Sequence, residues 1–131
     1  MIEPLEVATH AIYKSGLRLG DTVGIVGAGT IGLSTLMLAR AAGAARIYVL
    51  ELIKERGERA LSMGAAKYFN PGEINAPEQI RELTNGLGVD VAFDCAGTAA
   101  SGHLALSLTR RAGTVAIIGM SYQPTPDFQW V

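Results

Sequence analysis

The sequence predicts an α/β fold with a doubly wound parallel sheet of five strands and helices on both faces. Apolar patterning switches repeatedly between the period of a strand and that of a helix along the 131 residues. Such alternation is typical of parallel strands joined by crossover helices. Right-handed crossovers favour the strand order 3-2-1-4-5. Glycines stand where we expect helices to stop, at Gly16, Gly43, Gly64, Gly86 and Gly113.

The elements follow one another along the whole chain after a leading helix. Strands are predicted where short apolar runs occur, and helices where apolar residues recur three or four positions apart. The predicted helices are Pro4 to Ser15, Ile31 to Ala42, Ile53 to Met63, Ala76 to Thr84 and Ala99 to Arg110. The predicted strands are Thr22 to Val26, Arg46 to Leu50, Lys67 to Phe69, Val89 to Phe93 and Thr114 to Ile118. No linker or repeat divides the chain, so we expect residues 1–131 to form one domain.

A glycine motif, G-x-G-x-x-G, lies between the first predicted strand and the helix that follows it. Gly27 allows a tight turn, Gly29 has no Cβ and lets a pyrophosphate approach the backbone, and Gly32 lets the helix pack closely on the strand. The amides of Thr30 and Ile31 lack intrahelical partners and lie at the positive end of the helix dipole. This turn is therefore suited to bind a phosphate group.

Glu51 ends the second predicted strand, 19 residues after Gly32. Its carboxylate can accept hydrogen bonds from ribose hydroxyls. The sequence of strand, glycine turn, helix, strand and acid predicts a Rossmann-type unit that binds a dinucleotide. The alternative is that the glycines serve only close packing and that Glu51 is a solvated charge.

Composition excludes several other classes of protein. The net charge is −1 and no basic stripe is present, so nucleic acid is not an expected partner. No apolar run approaches the length of a membrane span and no signal peptide pattern begins the chain, so we expect no membrane contact and a cytoplasmic location. The single cysteine excludes an internal disulfide.

Several longer stretches resemble the coenzyme domain of zinc-dependent, medium-chain alcohol and polyol dehydrogenases. They are Glu3-Pro4-Leu5, GDTVGIVGAGTIGL, the strand that ends at Glu51, VDVAFDCAGT and GTVAIIG. Glu-Pro-Leu before Val-Ala-x-His-Ala resembles the sorbitol and butanediol dehydrogenase branch in particular. The resemblance implies an oxidoreductase that passes a hydride from a secondary alcohol to NAD. The substrate would be an alcohol or polyol held on zinc.

The resemblance also implies that parts of the intact enzyme are missing here. Family members have an amino-terminal catalytic domain that supplies the zinc ligands, and a sixth strand beside the fifth. Two histidines and one cysteine cannot replace those ligands. We therefore expect a fragment that binds NAD, holds no zinc and is inactive alone. Glu3 matches a family glutamate near the zinc and is a candidate metal contact in the intact enzyme only; alternatively it is a helix-start carboxylate beside Pro4.

The resemblance assigns further residues to the cofactor. Thr30 and Ile31 match the pyrophosphate contacts, with the Ile31 side chain also packing on the nicotinamide, and Glu51 matches the ribose-binding acid. Arg56 matches a basic position that reaches the adenosine ribose, although it can equally be a solvated helix charge. The positions that match crevice-lining backbone are Cys95, Ala96, Ile118 and Gly119. For Cys95 the alternative is a small buried hydrophobe.

Two other functions stay open at this point. A stand-alone regulatory module would bind the dinucleotide without a catalytic domain, and a longer reading frame upstream of Met1 would decide against it. A methyltransferase also has a glycine-rich first turn, but the spacing between Gly29 and Gly32 favours a pyrophosphate.

The fifth predicted strand raises a separate expectation about association. Without a sixth strand its backbone would form an open edge, which is a template for pairing. We expect either that the tail Asp127 to Val131 covers this edge or that two chains pair through it as a homo-oligomer.

Overall fold

The structure is a computed structural model, and it describes residues 3–118. Five parallel strands form one sheet in the order β3-β2-β1-β4-β5. The strands are β1 (Thr22–Val26), β2 (Arg46–Leu50), β3 (Lys67–Phe69), β4 (Val89–Asp94) and β5 (Thr109–Ile117). The helices are α1 (Pro4–Ser15), α2 (Thr30–Ala41), α3 (Lys54–Ser62), α4 (Ala76–Leu83) and α5 (Ala99–Leu108). The predicted fold class and strand order are confirmed.

Helices cover both faces of the sheet and bury two separate cores. Ile25 of β1 shares a core with Leu36 of α2, and α1 and α3 contribute alanines to the same side. On the other face Tyr48 of β2 shares a core with Ile80 of α4 and Leu108 of α5. Successive strand residues point to opposite faces, which is why one apolar run can supply both cores.

Helix ends follow local capping signals. The Asn75 side chain accepts the Glu78 amide at 3.2 Å and begins α4, while Thr98 and Ser101 form a capping box at α5. Gly16 ends α1 in the left-handed region at φ 71°. The stops predicted after α1 to α4 are confirmed, because positive φ angles occur at Gly16, Gly43, Gly64 and Gly86.

The boundary between α5 and β5 differs from the prediction. We predicted a helix to Arg110 and a stop at Gly113, but α5 ends at Leu108 and β5 begins at Thr109. The strand is irregular, with Ala112 at φ 61° and a register shift against β4 between Val89 and Val91. A Cβ on Gly113 would lie 2.9 Å from the carbonyl oxygen of Asp90. This glycine therefore serves a strand irregularity and not a helix end.

The outer edge of β5 carries the remaining sequence expectation. Within residues 3–118, β5 pairs with β4 alone. The tail Asp127 to Val131 lies outside the described residues, so pairing or covering of this edge stays a prediction. In the same described part, no helix has the length and apolar character needed to cross a membrane.

Candidate cofactor site

A cleft of about 430 Å³ opens where the carboxyl ends of β1, β2 and β4 meet. In a parallel sheet this is the edge where ligands bind, next to the point at which the strand order reverses. Its walls are mostly apolar and include Leu52, Pro71 and Leu104. The polar side chains among its lining residues are those of Glu51, Thr98 and Ser101. An apolar cleft with a few convergent polar groups is the usual form of a small-molecule site.

The three glycines of the motif have different surroundings. Gly27 adopts φ 97°, and a Cβ there would lie 3.1 Å from the Ala96 amide nitrogen. A Cβ on Gly32 would overlap the carbonyl oxygen of Gly27. The nearest described atom to a Cβ on Gly29 is Arg56 Nη1, 3.9 Å away. The turn is therefore tight at Gly27 and Gly32 and open at Gly29.

The amino terminus of α2 faces that open position. Gly29 is the N-cap with extended backbone, and its carbonyl accepts the Leu33 amide at 2.9 Å. Among the described residues no side chain caps this helix, and its first turn contains no acid. The amides of Thr30 and Ile31 belong to the group of first-turn donors that have no intrahelical acceptor. This helix end can therefore take an anion.

Glu51 is 8% exposed and is held by two backbone amides. Its Oε1 accepts the Ala28 amide at 2.9 Å, and its Oε2 accepts the Ile53 amide at 3.0 Å. Each carboxylate oxygen has two lone pairs, so both oxygens keep acceptor capacity for hydroxyl groups. The position of Glu51 is not that of a solvated surface charge, and its carboxylate is fixed directly beneath the glycine turn.

Arg56 lies in the first turns of α3, exposed, with its guanidinium beside Gly29. Neither of the two ion pairs found within residues 3–118 includes it. The structure therefore brings Arg56 to the open side of the glycine turn, together with Glu51 and the start of α2.

The crevice-lining positions predicted after β4 and β5 separate into two groups. Ala96 is exposed and lines the cleft. The Cys95 thiol points away from it, donating to Thr35 Oγ1 at 3.8 Å, and burial raises its pKa to about 12. Ile118 borders a different groove, between α1 and β5. Gly119 lies outside the described residues.

Glu3 is the N-cap of α1, exposed, and its carbonyl accepts the Val7 amide at 3.2 Å. This is the position of a helix-start carboxylate beside Pro4. Across the described range 3–118, no group of three or more His, Cys, Asp or Glu side chains is arranged to hold a metal ion. The described residues do not fit zinc, and its chemistry is not assigned to them.

Sequence patterns did not identify several residues that shape the cleft. Leu52, Pro71 and Leu104 come from three separate segments, so only the folded chain brings them together. Asp94 was also missed, although it is 1% exposed and its Oδ1 accepts the amides of Ala96 and Gly97. The available signal was an acid that directly ends an apolar strand and precedes a glycine.

Comparison with known proteins is consistent with this geometry. The sequence profile described as zinc-binding dehydrogenase matches residues 30–130. Sorbitol dehydrogenase from Bacillus subtilis (strain 168) is 42% identical over 123 residues, covering 94% of this chain and 35% of that protein. The crystal structure of 2R,3R-butanediol dehydrogenase from Bacillus subtilis has a TM-score of 0.86 and 36% identity, covering 93% of this chain and 35% of that one.

A third similar structure is a zinc-binding dehydrogenase from Sinorhizobium meliloti 1021 bound to NADP. Its TM-score is 0.88 with 34% identity, covering 94% of this chain and 36% of that one. The fold is that of the Rossmann domain of the alcohol dehydrogenase class. The chain belongs to the zinc-binding dehydrogenase family, with sorbitol and butanediol dehydrogenases among its relatives. It spans about a third of the length of these relatives.

Proposed function

We propose that residues 1–131 are the NAD-binding domain of a zinc-dependent alcohol or polyol dehydrogenase. The observation that carries the proposal is the Glu51 carboxylate, held by two amides between the glycine turn and the cleft. The chemistry that NAD supplies is acceptance of a hydride. The work of this chain is to bind and orient that acceptor.

Each part of the dinucleotide has a matching group in the site. The amides of Thr30 and Ile31, at the start of α2, would bind the pyrophosphate over the open position at Gly29. Glu51 would accept hydrogen bonds from the adenosine ribose, with Arg56 close by. The apolar cleft beyond Glu51 suits a purine. Ile31 would pack on the nicotinamide, and Cys95 and Ala96 would border the crevice through their backbone.

We expect NAD to be preferred to NADP. A 2′-phosphate about 4 Å from the Glu51 carboxylate would be repelled by about 1 kcal/mol per charge pair in water-like surroundings, or about 4 kcal/mol at an effective dielectric near 20. This corresponds to an affinity difference of about five-fold to about a thousand-fold. Arg56, beside the same turn, would reduce the difference. The similarity to a dehydrogenase bound to NADP makes this preference worth direct measurement.

Titration calorimetry of this chain with NAD and with NADP tests the proposal. NAD should bind more tightly, and Glu51→Ala should narrow the gap between the two cofactors. Glu82→Ala, on the exposed surface of α4, removes the same charge away from the cleft and should leave the gap unchanged. Equal affinities of the unsubstituted chain for NAD and NADP would contradict the role of Glu51, and binding of neither would contradict the proposed function.

The rest of the activity belongs to the proposal for the whole protein. The relatives are named for sorbitol and butanediol, so we propose an alcohol or polyol substrate for the whole protein. We also propose a zinc whose ligands lie outside the described residues, except that Glu3 is a candidate contact. A regulatory module without catalysis has no support from these relatives. Competition between NAD and S-adenosylmethionine for the cleft separates the proposal from a methyltransferase. The cytoplasmic location and a homo-oligomer through β5 stay predictions.

A further inference from the structure

Asp94 is a buried carboxylate that the proposed cofactor contacts do not use. It ends β4 and is 1% exposed, and its backbone is paired between Val26 of β1 and Ile117 of β5. Neither ion pair found in the described residues includes it. A carboxylate removed from water is costly unless hydrogen bonds compensate. Its hydrogen-bond partners therefore indicate what it does.

The partners of Asp94 are two successive amides of the turn that follows. Oδ1 accepts the Ala96 amide at 3.0 Å and the Gly97 amide at 3.1 Å. Gly97 has φ 78°, in the left-handed region that favours glycine. Thr98 then caps α5. One oxygen atom thus sets the backbone path from the end of β4 to the start of α5.

Residues 95–98 contact both the apolar cleft and the glycine turn. Ala96 and Thr98 line the apolar cleft beside Glu51. On the other side, the Ala96 amide nitrogen is so close to Gly27 that a Cβ there would lie 3.1 Å from it. A shift of the turn would therefore change the cleft wall and remove the neighbour that confines the glycine turn.

We propose that Asp94 is a positioning residue for the cofactor, holding residues 95–98 in the conformation that forms the wall for the adenosine half of the dinucleotide. This inference rests on the proposed NAD-binding function. The required group is an acceptor oxygen at Oδ1. Asparagine keeps that oxygen and alanine does not, so the two substitutions separate position from charge.

Calorimetric affinities for NAD and for AMP, which carries only the adenosine half, test the inference on this chain. Asp94→Ala should weaken both ligands by a similar factor of about five or more, because two amides of the wall lose their acceptor. Asp94→Asn should bind both within about two-fold of the unsubstituted chain. An Asn variant as weak as the Ala variant would overturn the inference.

Asp90→Ala is the matched control at the opposite end of the same strand. Asp90 also accepts hydrogen bonds, from Thr22 and Arg110, but it does not line the cleft. The Asp90→Ala substitution should lower the thermal midpoint of unfolding. It should leave NAD affinity unchanged at a temperature where the variant is folded. An equal loss of affinity in Asp90→Ala would show a general stability effect and overturn the inference.

The remaining outcomes distinguish this inference from the proposed function. Normal NAD affinity in folded Asp94→Ala would overturn the inference alone, whereas an unsubstituted chain that binds no NAD would overturn the proposed function as well. If Asp94→Ala does not fold, Gly97→Ala strains the same turn and leaves the carboxylate in place. Weakened NAD and AMP binding by that variant supports the inference, and normal binding overturns it.

Discussion

The two ends of the parallel strands carry carboxylates in opposite settings. At the amino ends, Asp90 accepts Arg110 Nε at 2.6 Å and the Thr22 amide at 2.8 Å. At the carboxyl ends, Glu51 and Asp94 accept backbone amides, and neither belongs to an ion pair found in residues 3–118. At the amino ends, the charge of Asp90 is neutralised by the Arg110 side chain. The carboxyl ends are organised through the backbone, which leaves the Glu51 carboxylate available to a ligand in the cleft.

The pairing of Asp90 with Thr22 and Arg110 affects the pKa of the Asp90 carboxyl. Burial opposes ionisation of Asp90, but the hydrogen bonds from Thr22 and the Arg110 guanidinium outweigh it and hold the pKa of Asp90 below its usual value. A carboxyl whose pKa is lower in the folded state stabilises the fold above its unfolded pKa. That contribution is lost as the pH falls through the folded pKa.

Of the substitutions near the carboxyl ends of the strands, Gly32→Val should have the largest effect on stability and binding. The new Cβ would overlap the Gly27 carbonyl oxygen, so the helix and the turn must separate. We expect a loss of about 3 kcal/mol in the free energy of unfolding, and loss of NAD binding with it. Denaturant unfolding measures the loss of stability, and the thermal midpoint of unfolding checks it independently. A variant as stable as the unsubstituted chain would contradict the close packing assigned to Gly32.

Gly29→Val should affect binding and leave stability almost unchanged. Gly29 has φ −76° and ψ −163°, extended backbone that valine adopts, and the nearest described atom to its Cβ is 3.9 Å away. We expect the free energy of unfolding to change by less than about 1 kcal/mol and NAD affinity to fall by more than about ten-fold. Normal NAD binding in this variant would refute pyrophosphate binding at the turn.

Arg110→Ala should have the smallest effect and only on stability. The ion pair with Asp90 is partly exposed, so we expect a loss of about 1 kcal/mol at neutral pH and no change in NAD affinity. Because Asp90 becomes protonated in acid, the difference from the unsubstituted chain should shrink as the pH falls through the lowered pKa of Asp90. Thermal midpoints measured from pH 7 to pH 2 check this. A difference that persists in acid would assign the effect to lost packing of the Arg110 side chain.

Some features of the fold and of the cleft were predictable from the sequence and others were not. The glycine turn was predictable because it depends on residues close in sequence. The strand order was predictable because strands alternate with helices and right-handed crossovers favour one order. The start of β5 was not, because the irregularity at Ala112 and Gly113 depends on register with β4. The cleft wall was missed for a related reason, since Leu52, Pro71 and Leu104 meet only after the crossovers have formed.

The two hydrogen bonds of Glu51 have a consequence for redesign of cofactor preference. An engineer who wants NADP would replace Glu51 with a small or basic residue to admit the extra phosphate. That exchange also leaves the Ala28 and Ile53 amides without their acceptor. A one-residue switch would therefore loosen the loop meant to hold either coenzyme, and a workable design must supply a neutral acceptor for these amides elsewhere in the chain.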